Sequence, residues 1–137
     1  MGLILDSSVV VAAERKGLSA AELLYSIRVI VGPETIALST VSVMELEYGI
    51  WRARDAAQAE PRRRFLGDVF AAVPAYPLTF DIARRAGRID GESRQKGITI
   101  PFQDLVIGVT ALGFGYAVAT GNIRHFQLIP GLTVVPL

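Results

Sequence analysis

Five short apolar runs alternate along this chain with segments of helical spacing. Leu3–Leu5, Ile36–Leu38, Val73–Leu78, Tyr116–Thr120 and Leu132–Val135 have strand length, and polar residues do not alternate through the innermost of them. Runs apolar on both faces, joined by helices long enough to cross back, define a parallel sheet covered on each side. The expected fold is therefore α/β, a three-layer α/β/α sandwich around a central, mainly parallel sheet. At 137 residues the chain fits one domain spanning 1–137. Pro74 and Pro77 push the third run to a sheet edge, because proline cannot donate to a ladder.

The helices announce themselves through their caps. Asp6-Ser7-Ser8 offers N-caps for a helix from Val9 to Arg15, and Ser19 with Glu22 has the capping-box form. Ser39 or Ser42 caps a helix running to about Arg54. Arg54 to Gln58 reads as a polar bend, and Pro61 suits the first turn of the helix bearing Phe65, Leu66, Val69 and Phe70. Thr79 caps the next helix and Pro101 opens an apolar one. The stretch Leu105–Ile123 is uncharged and approaches membrane-spanning length. Its glycines at 108, 113, 115 and 121 divide it into a buried helix and a buried strand. The first apolar run lacks a basic flank and is interrupted by Asp6, unlike a secretory leader. These features suit a cytoplasmic protein with no membrane association.

Composition removes several chemistries. There is no cysteine, which excludes disulfides, thiolate metal sites and a thiol nucleophile, and His125 is the sole histidine. Paired-histidine acid–base catalysis and histidine-rich zinc sites fail with it. No glycine-rich loop ends in Lys-Ser or Lys-Thr, which argues against ATP or GTP hydrolysis. Twelve of the fourteen basic residues are Arg, whose planar fork suits phosphate, although a biased genome accounts for that equally well.

Three acids are set among apolar residues: Asp6 after Leu3-Ile4-Leu5, Glu45 within Val41–Leu46, and Asp104 before Leu105-Val106-Ile107. A carboxylate there loses hydration worth several kcal/mol unless a cation or hydrogen bonds replace it. Asp6 also reads as an ordinary N-cap, and Asp104 as compensation of a helix dipole. A glycine follows Glu45 and Asp104 at four residues, Gly49 and Gly108, where a substrate could approach. Oxygen ligands of this kind suit Mg²⁺ or Mn²⁺, ions that assist phosphodiester cleavage. Glu47 reads as surface charge paired with Arg54, and Arg62-Arg63-Arg64 as a solvated helix face or a phosphate-steering patch. Tyr48, Ile50 and Trp51 exceed what one buried face needs and suggest a homodimer or partner interface.

Leu5–Val9, Ser42–Gly49, Ile100–Ile107 and Thr120–Phe126, in this order and at this length, resemble a PIN-domain ribonuclease of the VapC toxin type. The closing Ile129–Val134 has the same look. The resemblance covers essentially the whole chain. It implies that Asp6, Glu45 and Asp104 converge on Mg²⁺ or Mn²⁺ and cleave RNA to leave a 5′-phosphate. Asp6 and Asp104 would be direct ligands, with Glu45 binding directly or through water. Ser8 and Thr120 would hydrogen-bond the carboxylates or substrate, and Asn122 stands where many relatives place a fourth acid. A VapB-like antitoxin is the implied partner. His125 and Phe126 are expected to pack or cap locally. The binding-class alternative is a catalytically degenerate module that docks RNA or protein. A receiver-like phosphorylation domain ranks below both, since neither Lys16 nor Lys96 lies near a late strand.

Overall fold

The computed structural model describes residues 1–137. Its elements are β1 (Gly2–Leu5), α1 (Ser7–Arg15), α2 (Ala20–Val31), β2 (Thr35–Ser39), α3 (Thr40–Trp51) and α4 (Ala56–Ala72). There follow β3 (Ala75–Tyr76), α5 (Phe80–Gln95), α6 (Phe102–Phe114), β4 (Ala117–Thr120), α7 (Ile123–Phe126) and β5 (Val134–Pro136). The strands form one sheet in the order β3-β2-β1-β4-β5, and every pairing is parallel. The α/β/α architecture read from the sequence is thus the observed one.

Period-two alternation divides the core. Leu3, Leu5, Ile36, Leu38, Ala117 and Ala119 face α1, α2 and α4, while Ile4, Ala37 and Val118 face α5 and α6. Ile4 is fully enclosed, and burying a side chain of that size contributes about 1.5–3 kcal/mol. The connection order reverses between β1 and β4, so a crevice opens beyond their carboxyl ends.

Local chemistry explains most boundaries. The Ser19–Glu22 capping box is complete, with bonds of 2.9 and 3.1 Å in the two directions. Ser39 and Thr79 cap α3 and α5, and Gly115 ends α6 at φ 71°, where a side chain would be strained. No helix is long and apolar enough to cross a membrane.

The fourth helix departs from expectation. It begins at Ala56, five residues before Pro61, which lies inside it. Asp55 Oδ1 accepts from the backbone N–H of Gln58 at 2.8 Å, and Gln58 Oε1 accepts from the backbone N–H of Arg54 at 2.7 Å. This reciprocal pair nucleates the turn that the polar composition had suggested was a bend. The third helix stops at Trp51, the third strand shrinks to two residues at the sheet edge, and α7 is an extra turn between β4 and β5.

Candidate active site

Asp6 follows the last residue of β1 and occupies the N-cap position of α1, yet its side chain makes no capping bond. Ser8 Oγ donates to Asp6 Oδ2 at 2.8 Å and Thr120 Oγ1, at the end of β4, donates to the same oxygen at 2.9 Å. The first turn of α1 and the end of β4 therefore clamp one carboxylate oxygen and leave the other without a hydrogen bond. The loop after β4 closes the clamp: Gly121 N donates to Ser8 Oγ at 3.2 Å and Asn122 N to Thr120 Oγ1 at 2.9 Å. Asn122 itself is exposed, and its side chain makes no capping bond.

Glu45 lies on α3, the helix that leaves β2. One oxygen, Oε1, is buried without a hydrogen-bond partner. Burial raises its pKa, Asp6 and Asp104 raise it further by repulsion, and the Ser7 hydroxyl tempers the shift. Asp104 sits in the first turn of α6, whose next seven residues are all buried. Burial raises the Asp104 pKa, His125 lowers it and Asp6 raises it. Three acids from three helix starts or faces thus converge at the carboxyl edge of the sheet, where the charge of Asp6 reaches both Glu45 and Asp104.

His125 was expected to pack locally, and the structure gives it a different neighbour. Its Nδ1 lies 2.8 Å from Asp104 Oδ2. When Asp104 is ionised its carboxylate only accepts, and Nδ1 is then the donor. The signal available in the sequence was position: His125 follows the end of β4 by five residues, on the same edge as Asp6. Ser7, beside Glu45, was also missed.

The two glycines that follow acids do different work. A Cβ on Gly49 would meet nothing within 4 Å, whereas one on Gly108 would strike Ile129 and crowd Leu132. Gly49→Ala should stabilise the fold by up to about 1 kcal/mol through helix propensity. Gly108→Ala should destabilise it by about 1–3 kcal/mol through overpacking. Urea denaturation of the two variants distinguishes these signs.

Other expectations need correction. Ile50 is buried in the core, so the exposed apolar face of α3 is Met44, Tyr48 and Trp51. Glu47 forms no ion pair with Arg54. Arg62 turns inward to Glu14 at 2.8 Å and to the Gly49 carbonyl at 2.7 Å, while Arg63 and Arg64 pair with Glu60.

The residues fit a hard divalent cation in donor chemistry: oxygen ligands, one buried carboxylate oxygen without a partner, and acids whose ionised forms are disfavoured as they stand. No three acidic or histidine side chains close tightly enough to enclose one ion directly. Mg²⁺ does not require that, because it retains several waters and takes one or two carboxylates.

The raised values have a consequence for stability. For both Glu45 and Asp104 the folded pKa exceeds the ordinary value, 4.5 and 3.8 respectively, so the folded chain holds protons that the unfolded chain releases. Stability without metal therefore falls as pH rises from those ordinary values through the raised ones. Asp6→Asn removes a repulsion felt by both acids. Its stability relative to the parent in EDTA should grow between pH 4 and neutrality, as measured by urea midpoints; a difference independent of pH would contradict the coupling.

An open parallel sheet with acids gathered at its switch point defines a class of α/β domain built for chemistry at the strand ends. Comparison with known proteins gives the family. The PIN domain family model matches residues 3–131. Ribonuclease VapC of Rickettsia bellii is 30% identical over 100% of this chain and 98% of its own length. Ribonuclease VapC1 of Rickettsia felis is 27% identical over 98% and 96%. The crystal structure of VapBC2 from Rickettsia felis, bound to a DNA fragment from its promoter, aligns with a TM-score of 0.81. That alignment has 24% identity and covers 100% of this chain and 99% of the other. The chain belongs to the PIN domain family, among the VapC ribonucleases.

Proposed function

We infer that this chain is the ribonuclease toxin of a type II toxin–antitoxin pair, an endonuclease that hydrolyses RNA phosphodiesters and is restrained by a VapB-like antitoxin. The observation that carries the chemistry is the meeting of Asp6, Glu45 and Asp104 at the switch point, with an unpartnered buried oxygen on Glu45. Asp6 and Asp104 would hold Mg²⁺ or Mn²⁺ directly, and Glu45 directly or through water. When bound, the ion lowers the pKa of water and offsets charge on the phosphoryl oxygens.

The protein's own groups have distinct tasks. Ser8 and Thr120 fix one oxygen of Asp6, so that the other has a set direction. His125 does the same for Asp104. Glu45, with its raised pKa, is suited to accept a proton from the attacking water. Asn122 offers an uncharged amide at the rim, where substrate hydroxyls or phosphate could meet it. The exposed Met44, Tyr48 and Trp51 on α3 suit a protein interface, as a homodimer or with the antitoxin. Strands from both ends of the chain share one sheet, which supports a single nuclease domain over residues 1–137. An RNA substrate and a chain without cysteine suit the cytoplasm.

The test is cleavage of single-stranded RNA with Mn²⁺ by the wild type beside Asp104→Asn. Expected is metal-dependent cleavage that falls by at least about a hundredfold in the variant, since such ions contribute several kcal/mol. Equal cleavage by both proteins would remove Asp104 from the site. RNA binding without cleavage by the wild type would favour the docking module.

A further inference from the structure

A second feature adjoins the acids. A cavity of about 460 Å³ runs from Ser7 and Glu45 between α1, α3 and α4, and four guanidinium groups line it: Arg15, Arg52, Arg54 and Arg62. Arg62 is held in place by Glu14 and the Gly49 carbonyl. The ion pairs made by arginines elsewhere join Arg63 and Arg64 to Glu60 and Arg94 to Asp90. Arg15, Arg52 and Arg54 have no carboxylate within ion-pair distance. Arg52 instead stands 5.9 Å from the Tyr48 ring centre.

Only three of the twelve lining residues are apolar, which is wrong for a pocket that anchors an apolar ligand or an amphipathic peptide. The positive groups are also contributed by separate segments rather than by one. They come from the end of α1, the end of α3, the loop after it, and α4. Several guanidinium groups match a ligand with repeated anionic centres, and the planar fork matches phosphate. The absence of a side chain at Gly49 keeps the wall beside Glu45 open.

We propose that this arginine-lined groove is the track for the RNA backbone flanking the scissile phosphate, with Arg15, Arg52 and Arg54 meeting successive phosphates and Arg62 fixing the wall. The proposal rests on the ribonuclease reading above and adds where the substrate strand runs. The three unpaired arginines are binding residues and act before chemistry. Their side chains are exposed and contribute nothing to the α4 cap, which uses the Arg54 backbone amide, so replacing them leaves the fold intact.

The test measures equilibrium binding of a fluorescein-labelled 12-nucleotide poly(U) in EDTA, where cleavage is suppressed, across a series of salt concentrations. Arg15→Gln/Arg52→Gln/Arg54→Gln is compared with the wild type and with Arg84→Gln/Arg85→Gln/Arg88→Gln, an equal charge change on α5. The groove variant should bind at least about tenfold more weakly. Its slope of log affinity against log salt should shrink by about 2, at roughly 0.7 per lost phosphate contact. The α5 variant should stay within about twofold of the wild type. Unchanged binding by the groove variant, or equal loss in both variants, would overturn the proposal while leaving the nuclease intact. Displacement of poly(U) by poly-glutamate at lower concentration than by unlabelled poly(U) would overturn it in favour of an acidic protein partner. A wild type that neither binds nor cleaves RNA would instead defeat the functional reading itself.

Discussion

Asp6→Asn is expected to lower RNA cleavage by about three orders of magnitude while leaving the fold at least as stable as before. The first half follows from the loss of a charged oxygen where a divalent cation would contribute several kcal/mol of transition-state stabilisation, at about 1.36 kcal/mol per tenfold. The second half follows from geometry. The Asp6 side chain does not cap α1, so no helix bond is lost. The amide oxygen of Asn can still accept from Ser8 and Thr120, which now hold the carboxylate at 2.8 and 2.9 Å. Glu45 and Asp104 are both relieved of a repulsive neighbour. Cleavage assays and thermal unfolding on the same preparation check both halves. A variant that lost activity and stability together would make Asp6 a structural residue.

Phe126→Ala should have the largest effect on stability. Phe126 is 1% exposed and anchors α7 in the core cluster under the sheet, beside Ile129 and Gly108. Truncating a buried phenylalanine costs about 3–5 kcal/mol, from lost transfer energy and the cavity left behind. For a chain of this size that corresponds to a fall in Tm of about 10–20 °C. The same residue seats its neighbour His125 against Asp104, so loosening α7 should also release that carboxylate. His125→Ala separates the two effects. It should leave Tm within a few degrees, because His125 is one-third exposed, and should push the Asp104 pKa further up by removing its hydrogen bond. Calorimetry and carboxylate-resolved NMR titration measure these separately. A Tm loss in His125→Ala as large as in Phe126→Ala would show that α7 depends on the polar contact.

The architecture was legible because its determinants are local. Apolar runs, caps at Ser19, Ser39 and Thr79, and breaks at Gly115 each act within a few residues. The start of α4 was not, since composition hid a reciprocal pair of side-chain bonds and drew attention to Pro61 instead. The acids could be picked out one at a time by their apolar settings, but spacing gave no account of which would meet. That depends on the reversal of strand order between β1 and β4, a property of the whole sheet. Gly49 and Gly108 looked alike beside their acids; only packing reveals that one borders open space and the other is filled by Ile129. His125 and the inward turn of Arg62 escaped for the same reason, as both bonds span elements distant in sequence.

The proposed site puts a divalent cation on Asp6 and Asp104, with Glu45 beside them. Anomalous diffraction from crystals soaked in Mn²⁺ tests it most directly. One strong peak is expected within coordinating distance of a carboxylate oxygen of Asp6 and of Asp104, with Glu45 touching it directly or through water. A fully occupied Mn²⁺ elsewhere, with these carboxylates left bare in a protein that cleaves RNA, would contradict it.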